Sequence, residues 1–122
     1  MATALNLSSV EYILECDLEL DESEQTTFIL KPLTAKSQAI LQDAVIVSGD
    51  NTTIENFGTH SISLLKKGLV GWRNFKNDSG DQLKFNTSNL DTNINLLSTE
   101  YRVELTTQII SMNSVSEAEV KN

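Results

Sequence analysis

The chain reads as an α+β domain: an N-terminal antiparallel strand pair on a small helical body, with a short aromatic hairpin-like unit between helices. Three observations predict this. Residues 10–20 alternate apolar and acidic side chains, the period of a half-buried strand. Tyr101, Leu105, Ile109 and Met112 recur at spacings of four, four and three, which lines them along one helix face. Between these lies the run from Leu69 to Phe85, with the only tryptophan and two of the four phenylalanines flanking the turn-forming Asn77-Asp78-Ser79-Gly80.

Taken in order, residues 1–9 are small and polar and are expected to form a flexible arm. In the first strand Tyr12, Leu14 and Cys16 face one way, and Glu11, Ile13, Glu15 and Asp17 the other. Residues 21–24 form an acidic turn. Gln25 to Leu30, rich in β-branched and aromatic residues, make a second strand that Pro32 closes. Thr34 is placed to cap a helix carrying Ile40, Leu41, Ala44 and Val45, and Gly49 ends it. Residues 48–53 are read as a polar loop. A second helix starts near Thr59, buries Ile62, Leu65 and Leu69, and fades at Gly68 and Gly71. Beyond the aromatic unit, Thr87 or Ser88 caps a short helical turn bearing Leu90 and Ile94. Ser98 caps the last helix, where Glu100 suits the positive end of the helix dipole. The globular domain is thus residues 10–113, followed by an exposed tail over 114–122 in which Ser116 and Glu119 have capping-box spacing.

Composition limits the function classes. A length of 122 residues is one domain with room for one core. The formal net charge is −8, with nine Lys and Arg of which only Lys66 and Lys67 adjoin. That disfavours nucleic acid and anionic membranes, whose phosphates require clustered cations. One cysteine, Cys16, excludes an internal disulfide and a Cys-based zinc site, and it is expected as a small buried hydrophobe in a reducing cytosol. The N-terminal residues have neither the basic nor the apolar region of a signal peptide, and no apolar run reaches the length of a membrane span.

No constellation of catalytic groups stands out. His60 is the only histidine, so any triad or His-based metal site would need it, and it is read as a helix-start surface residue. The acidic run Asp17, Glu19, Asp21, Glu22 and Glu24 lacks the mid-loop glycine of a calcium loop and reads as a solvated turn. The glycines match no phosphate-binding loop. Trp72, Phe75 and Phe85 admit two readings: a hydrophobic core around the turn, or partly exposed anchors for a partner, as aromatics often are at interface hot spots. Trp72, between Gly71 and Arg73, is the leading anchor candidate, with Arg73 beside it.

Several segments together resemble a family of small tailed-phage proteins encoded among the tail genes, some of which are described as tail assembly chaperones. The matching pieces are Tyr12-Ile13-Leu14 with Asp17, then Glu24-Gln25-Thr26 leading into Phe28-Ile29-Leu30-Lys31-Pro32-Leu33-Thr34. Gly68-Leu69-Val70-Gly71-Trp72-Arg73-Asn74-Phe75 follows, then Gly80, Phe85, Glu104-Leu105, Ile109 and the closing Lys121-Asn122. The chain departs from the pattern at Leu18, where the family carries a basic residue, and in the 21–24 turn, where Ser23 stands and proline is missing. The resemblance implies an α+β or mainly helical fold, no catalysis, no cofactor, and tape-measure or tail-tube protein as partners in the host cytoplasm. A structural virion subunit (tail terminator, head–tail connector or baseplate ring component) is the alternative, and it brings homo-oligomer contacts. An acidic DNA mimic is a third reading, against which the charges concentrate near the N-terminus.

Overall fold

The computed structural model describes Ala2 and residues 8–48, 51–54 and 56–113. The expected tail and most of the expected arm lie outside them. Two strands and a third from much later in the chain form an antiparallel sheet in the order β1 (Val10–Ile13), β2 (Thr27–Leu30), β5 (Leu69–Arg73). The helices are α1 (Ala35–Ala44), α2 (Phe57–Gly68), α3 (Leu90–Asn95) and α4 (Thr99–Asn113). The strands β3 (Val45–Ser48) and β4 (Asn51–Ile54) form a separate hairpin. The α+β architecture with its N-terminal strand pair is therefore present, enlarged by β5.

The central strand β2 explains the core. Its residues alternate between half-buried and buried, and Phe28 and Leu30 are fully closed off. Phe28 lies opposite Tyr12 on one side and Trp72 on the other, so these three share the inner face. Ile29 lies opposite Glu11 and Gly71 on the outer face. The register shifts after Ile29, so that Leu30 pairs with Leu69 and Val70 is the extra residue of a bulge. Beneath the sheet, Leu105 and Ile109 of α4 are fully buried, with Tyr101 and Met112 packed partly against the core. The apolar face read from the sequence of this helix is thus its inner face. Ser98 caps it, its hydroxyl accepting from the Tyr101 amide at 3.2 Å. Thr34 caps α1 in the same way, through the Ser37 amide at 3.3 Å.

Several expectations are corrected. The first strand does not reach Leu20. It stops at Ile13, and the chain turns through a 3-10 segment at Glu15–Asp17. Leu14 still enters the core, but Cys16 is exposed on the turn, its thiol donating to Asp17 Oδ1 at 3.6 Å. Helix α1 ends at Ala44, and Val45 begins a strand where the sequence reading continued the helix and then placed a polar loop. The β-branched runs Val45-Ile46-Val47 and Thr52-Thr53-Ile54 flank Gly49-Asp50, which is a hairpin pattern. Helix α2 starts two residues before Thr59 and buries Ser61, Leu64, Leu65 and Gly68. This rotates Ile62 outward to 40% exposure, and Leu69, although buried, belongs to β5. Neither Thr87 nor Ser88 caps α3. Asn89 holds the cap position, while the Asn86 side chain accepts from the Ser88 and Asn89 amides at 2.9 and 2.8 Å. Buried Asn93 completes the junction by exchanging two hydrogen bonds with the Asn86 backbone.

Candidate functional site

The aromatic unit is built from β5 and the chain that follows it. After Arg73, Asn74 takes a left-handed conformation (φ 57°), one that asparagine tolerates better than most residues. The chain then reverses over residues 77–81. There the Asn77 carbonyl accepts from the Gly80 amide, and its side-chain oxygen from the Ser79 and Asp81 amides. Gly80 has φ +83°, which a side chain would strain. A bridge between Lys76 and Gln82 and a 2.7 Å bond from the Leu83 amide to the Phe75 carbonyl close the reversal as a short hairpin.

This closure directs the rings inward. Trp72 meets Phe75 at 4.9 Å, Phe85 at 5.0 Å and Phe28 at 6.2 Å between centroids, all edge to face, the arrangement that aromatic quadrupoles favour. Its indole N–H donates to the Leu83 carbonyl at 2.9 Å, so the one polar group of the ring is satisfied in place. Trp72 and Phe75 are each only 8% exposed and belong to the core, and Trp72 is not the accessible anchor considered from the sequence. Phe85 remains partly exposed. Arg73 lies on the outer face of the sheet, where its guanidinium donates to Glu11 at 2.6 Å across β2, both side chains being more than half exposed.

Two residues that the sequence marked only as parts of the family resemblance, with no site role, hold the neighbourhood together. Asn74 donates to the Ser23 and Gln25 carbonyls, accepts from the Gln82 amide, and offers its own carbonyl to the Thr26 hydroxyl. It therefore joins the acidic loop to the aromatic hairpin. Its signal in the sequence was weak: a lone asparagine after a strand, one of the few residue types suited to a left-handed turn. Glu104 on α4 is the second. Its Oε2 accepts from the Tyr12 hydroxyl at 2.7 Å and from the Glu15 amide at 2.9 Å, tying the last helix to the first strand across about three-quarters of the chain. No local pattern encodes a contact between residues so far apart.

The acidic loop is organised around Gln25, whose amide donates to the carbonyls of Asp17 and Leu20 at 3.2 and 3.1 Å, while Asp17 Oδ2 caps the Thr26 amide. Between this loop, Asn74–Lys76 and Tyr101 lies a polar cavity of about 340 Å³, lined by Asp17, Glu24 and Lys76 among others. Among the described residues no group of three His, Cys, Asp or Glu side chains could hold a metal ion. His60 is in the first turn of α2, half-buried beside Ile40, Asp43 and Ala44. Ionisation around the loop is shifted one way. Burial first, and then the Glu104 carboxylate, push the Tyr12 hydroxyl up to about 12. Partial desolvation and the Asp17 carboxylate raise the Cys16 thiol, and desolvation followed by Cys16 and Asp17 raises Tyr101. These groups stay protonated and neutral near pH 7, which makes Cys16 a poor nucleophile despite its exposure.

No protein-family model matches the chain, and no curated protein and no solved structure is significantly similar to it. Among the described residues no helix is long and apolar enough to cross a membrane.

Proposed function

We propose that the chain is a non-enzymatic phage tail assembly protein, a chaperone that binds tape-measure or tail-tube protein during tail morphogenesis. The observation that carries the binding part of this reading is the surface. Among the described residues eight large aliphatic side chains remain between 37% and 59% exposed, in a chain of net charge −8. Isolated exposed aliphatics are ordinary. Here Leu18 and Leu20 lie within the acidic run 17–24 and Val103 beside Glu100 and Glu104, so the surface can meet apolar segments of an unassembled partner while repulsion between copies keeps the protein dispersed. The tail-assembly part is supported by the order of the motifs across residues 12–122, among them the Gly71-Trp72-Arg73-Asn74-Phe75 segment that builds the aromatic hairpin.

The test is capture with the tagged full chain from infected cells, run beside mass spectrometry of purified particles. Capture of tape-measure or tube protein, with this chain missing from the virion, is the expected result. Stoichiometric presence in the particle at ring-like copy number would replace the chaperone with a structural subunit, whose contacts repeat by rotation.

A further inference from the structure

A groove of about 580 Å³ runs between the outer face of α4 and the segment 12–15, on the side of the helix opposite its buried Leu105 and Ile109. Thr99, Val103 and Thr107 lie along it at successive turns, flanked by Glu100, Glu104 and Gln108. Tyr12 and Glu15 form the opposite wall. Val103 is 44% exposed at the centre, and three carboxylates, Glu15, Glu100 and Glu104, surround it. Among the described residues no lysine or arginine lines the groove. The only cation of α4, Arg102, is not among the lining residues; at the N-terminal end of the groove its guanidinium is held by the Leu97 carbonyl at 2.7 Å and the Thr99 hydroxyl at 3.1 Å.

We propose that this groove docks a basic amphipathic segment of a partner protein, with an apolar side chain on Val103 and Tyr12 and lysines or arginines against Glu15, Glu100 and Glu104. The argument is charge complementarity around an apolar floor. Three carboxylates, with no cation among the described lining residues, raise a negative potential that favours a basic segment over an acidic one. The wall is also held in shape before binding, because Glu104 fixes both Tyr12 and Glu15, so docking orders little of the receptor. The inference deepens the assembly reading by giving the partner's chemistry, and rests on that reading only for where such a segment comes from.

The test is fluorescence anisotropy of a labelled leucine–lysine amphipathic helical peptide titrated with the full chain at about 0.15 M salt, where a charge beyond about 8 Å is screened. Glu100→Lys is expected to weaken binding about tenfold or more, and Val103→Ser to weaken it measurably. Both residues are exposed, so Val103→Ser is expected to keep the wild-type Tm, while Glu100→Lys, which sets a cation in the first turn of α4, is expected to lower it slightly; both are titrated well below their Tm, where the fold is intact. Asp43→Lys, the same charge change on α1 outside the groove, is expected to leave the affinity within about twofold. The assignment is overturned if the wild type does not bind, if a leucine–glutamate peptide binds as well, if Val103→Ser has no effect, or if Asp43→Lys costs as much as Glu100→Lys. A homodimer in solution that Glu100→Lys dissociates would make the occupant a second copy and also overturn it. Peptide binding can fail while capture of a tail protein succeeds, and the reverse, so the groove and the assembly role are judged separately.

Discussion

Around Trp72 three rings approach edge to face and the indole N–H has its acceptor, whereas along the outer face of α4 an exposed valine stands among three carboxylates. The first region has the residue types of an interface hot spot, and the second has those of a solvated helix surface. The fold reverses them. Aromatic side chains carry the largest apolar area per residue, and a chain with 6% aromatics uses them to close its single core. What remains for a partner is aliphatic and acidic. In a small acidic domain, then, residue type is a weaker guide to an interface than which face of an element the core has already taken.

The sharpest way to break this comparison is Trp72→Ala. As a core residue touching Phe28, Phe75 and Phe85, it should cost about 3–5 kcal/mol of stability, read from urea unfolding. A loss under about 1 kcal/mol with capture of the partner abolished would return Trp72 to the role of anchor and remove the contrast.

The inner side of α4 gives the next largest effect. Helix α2 ends at Gly68, where an added Cβ would stand 2.7, 3.0 and 3.1 Å from three side-chain carbons of the fully buried Ile109. Alanine is the better helix former, but overpacking of this kind costs about 1–3 kcal/mol and should win. Gly68→Ala is expected to lower Tm. Adding Ile109→Val, which removes the carbon at 2.7 Å, should give a double variant more stable than the sum of the two single changes predicts. Strict additivity would mean that α4 is not seated on Gly68.

Much of this was legible locally. The caps Thr34 and Ser98, the Asn77-Asp78-Ser79-Gly80 reversal and the inner face of α4 each depend on residues within a few positions, and each could be read from the sequence. Val10–Ile13 was readable as a strand, but its end was not: Leu14 goes inward as the alternation requires, and the turn that then exposes Cys16 is held by Glu104, 89 residues beyond Glu15. The place of β5 beside β2 was hidden for the same reason. Leu69 to Arg73 looked like the fading end of a helix and the start of a hairpin, and only pairing with a distant strand makes it the third member of the sheet. The core reading of Trp72 and Phe75 was available beside the anchor reading, and local sequence had no means of choosing between them. The groove was missed altogether, because an acidic helix face becomes a cleft only when another element stands opposite it.

The wall of that groove can be tested through pH. Unfolded, Tyr12 ionises near 10, and in the fold the same hydroxyl is pushed up to about 12 by burial and by its bond to Glu104. Below pH 10 both states keep the proton, so the contribution is fully present. Between about pH 10 and 12 the unfolded chain loses its proton first, and stability falls. Tyr12→Phe should cost about 1–2 kcal/mol near pH 7 through the lost bond to a carboxylate, and should show a shallower loss between pH 10 and 12. Denaturation midpoints at a series of alkaline pH values measure both. An unchanged alkaline slope would mean that Tyr12 is not clamped to α4 and that the groove has no fixed second wall.

The smallest expected effect falls on the residue whose role the comparison leaves most open. Arg73 adjoins the buried Trp72 but faces outward, paired with Glu11 at 2.6 Å, with side chains 57% and 60% exposed. Pairs this exposed contribute little, because water and salt screen the charges and holding two long side chains together costs entropy. Arg73→Ala should therefore shift stability by no more than about 0.5 kcal/mol. Its value as a test lies in that small number, since any loss of partner capture cannot then be attributed to unfolding. Capture lost at constant Tm would place a contact on the outer face of the sheet, next to the closed aromatic core and separate from the α4 groove. Capture retained in Arg73→Ala but lost in Val103→Ser would assign the binding to α4 and leave the aromatic unit a purely structural part.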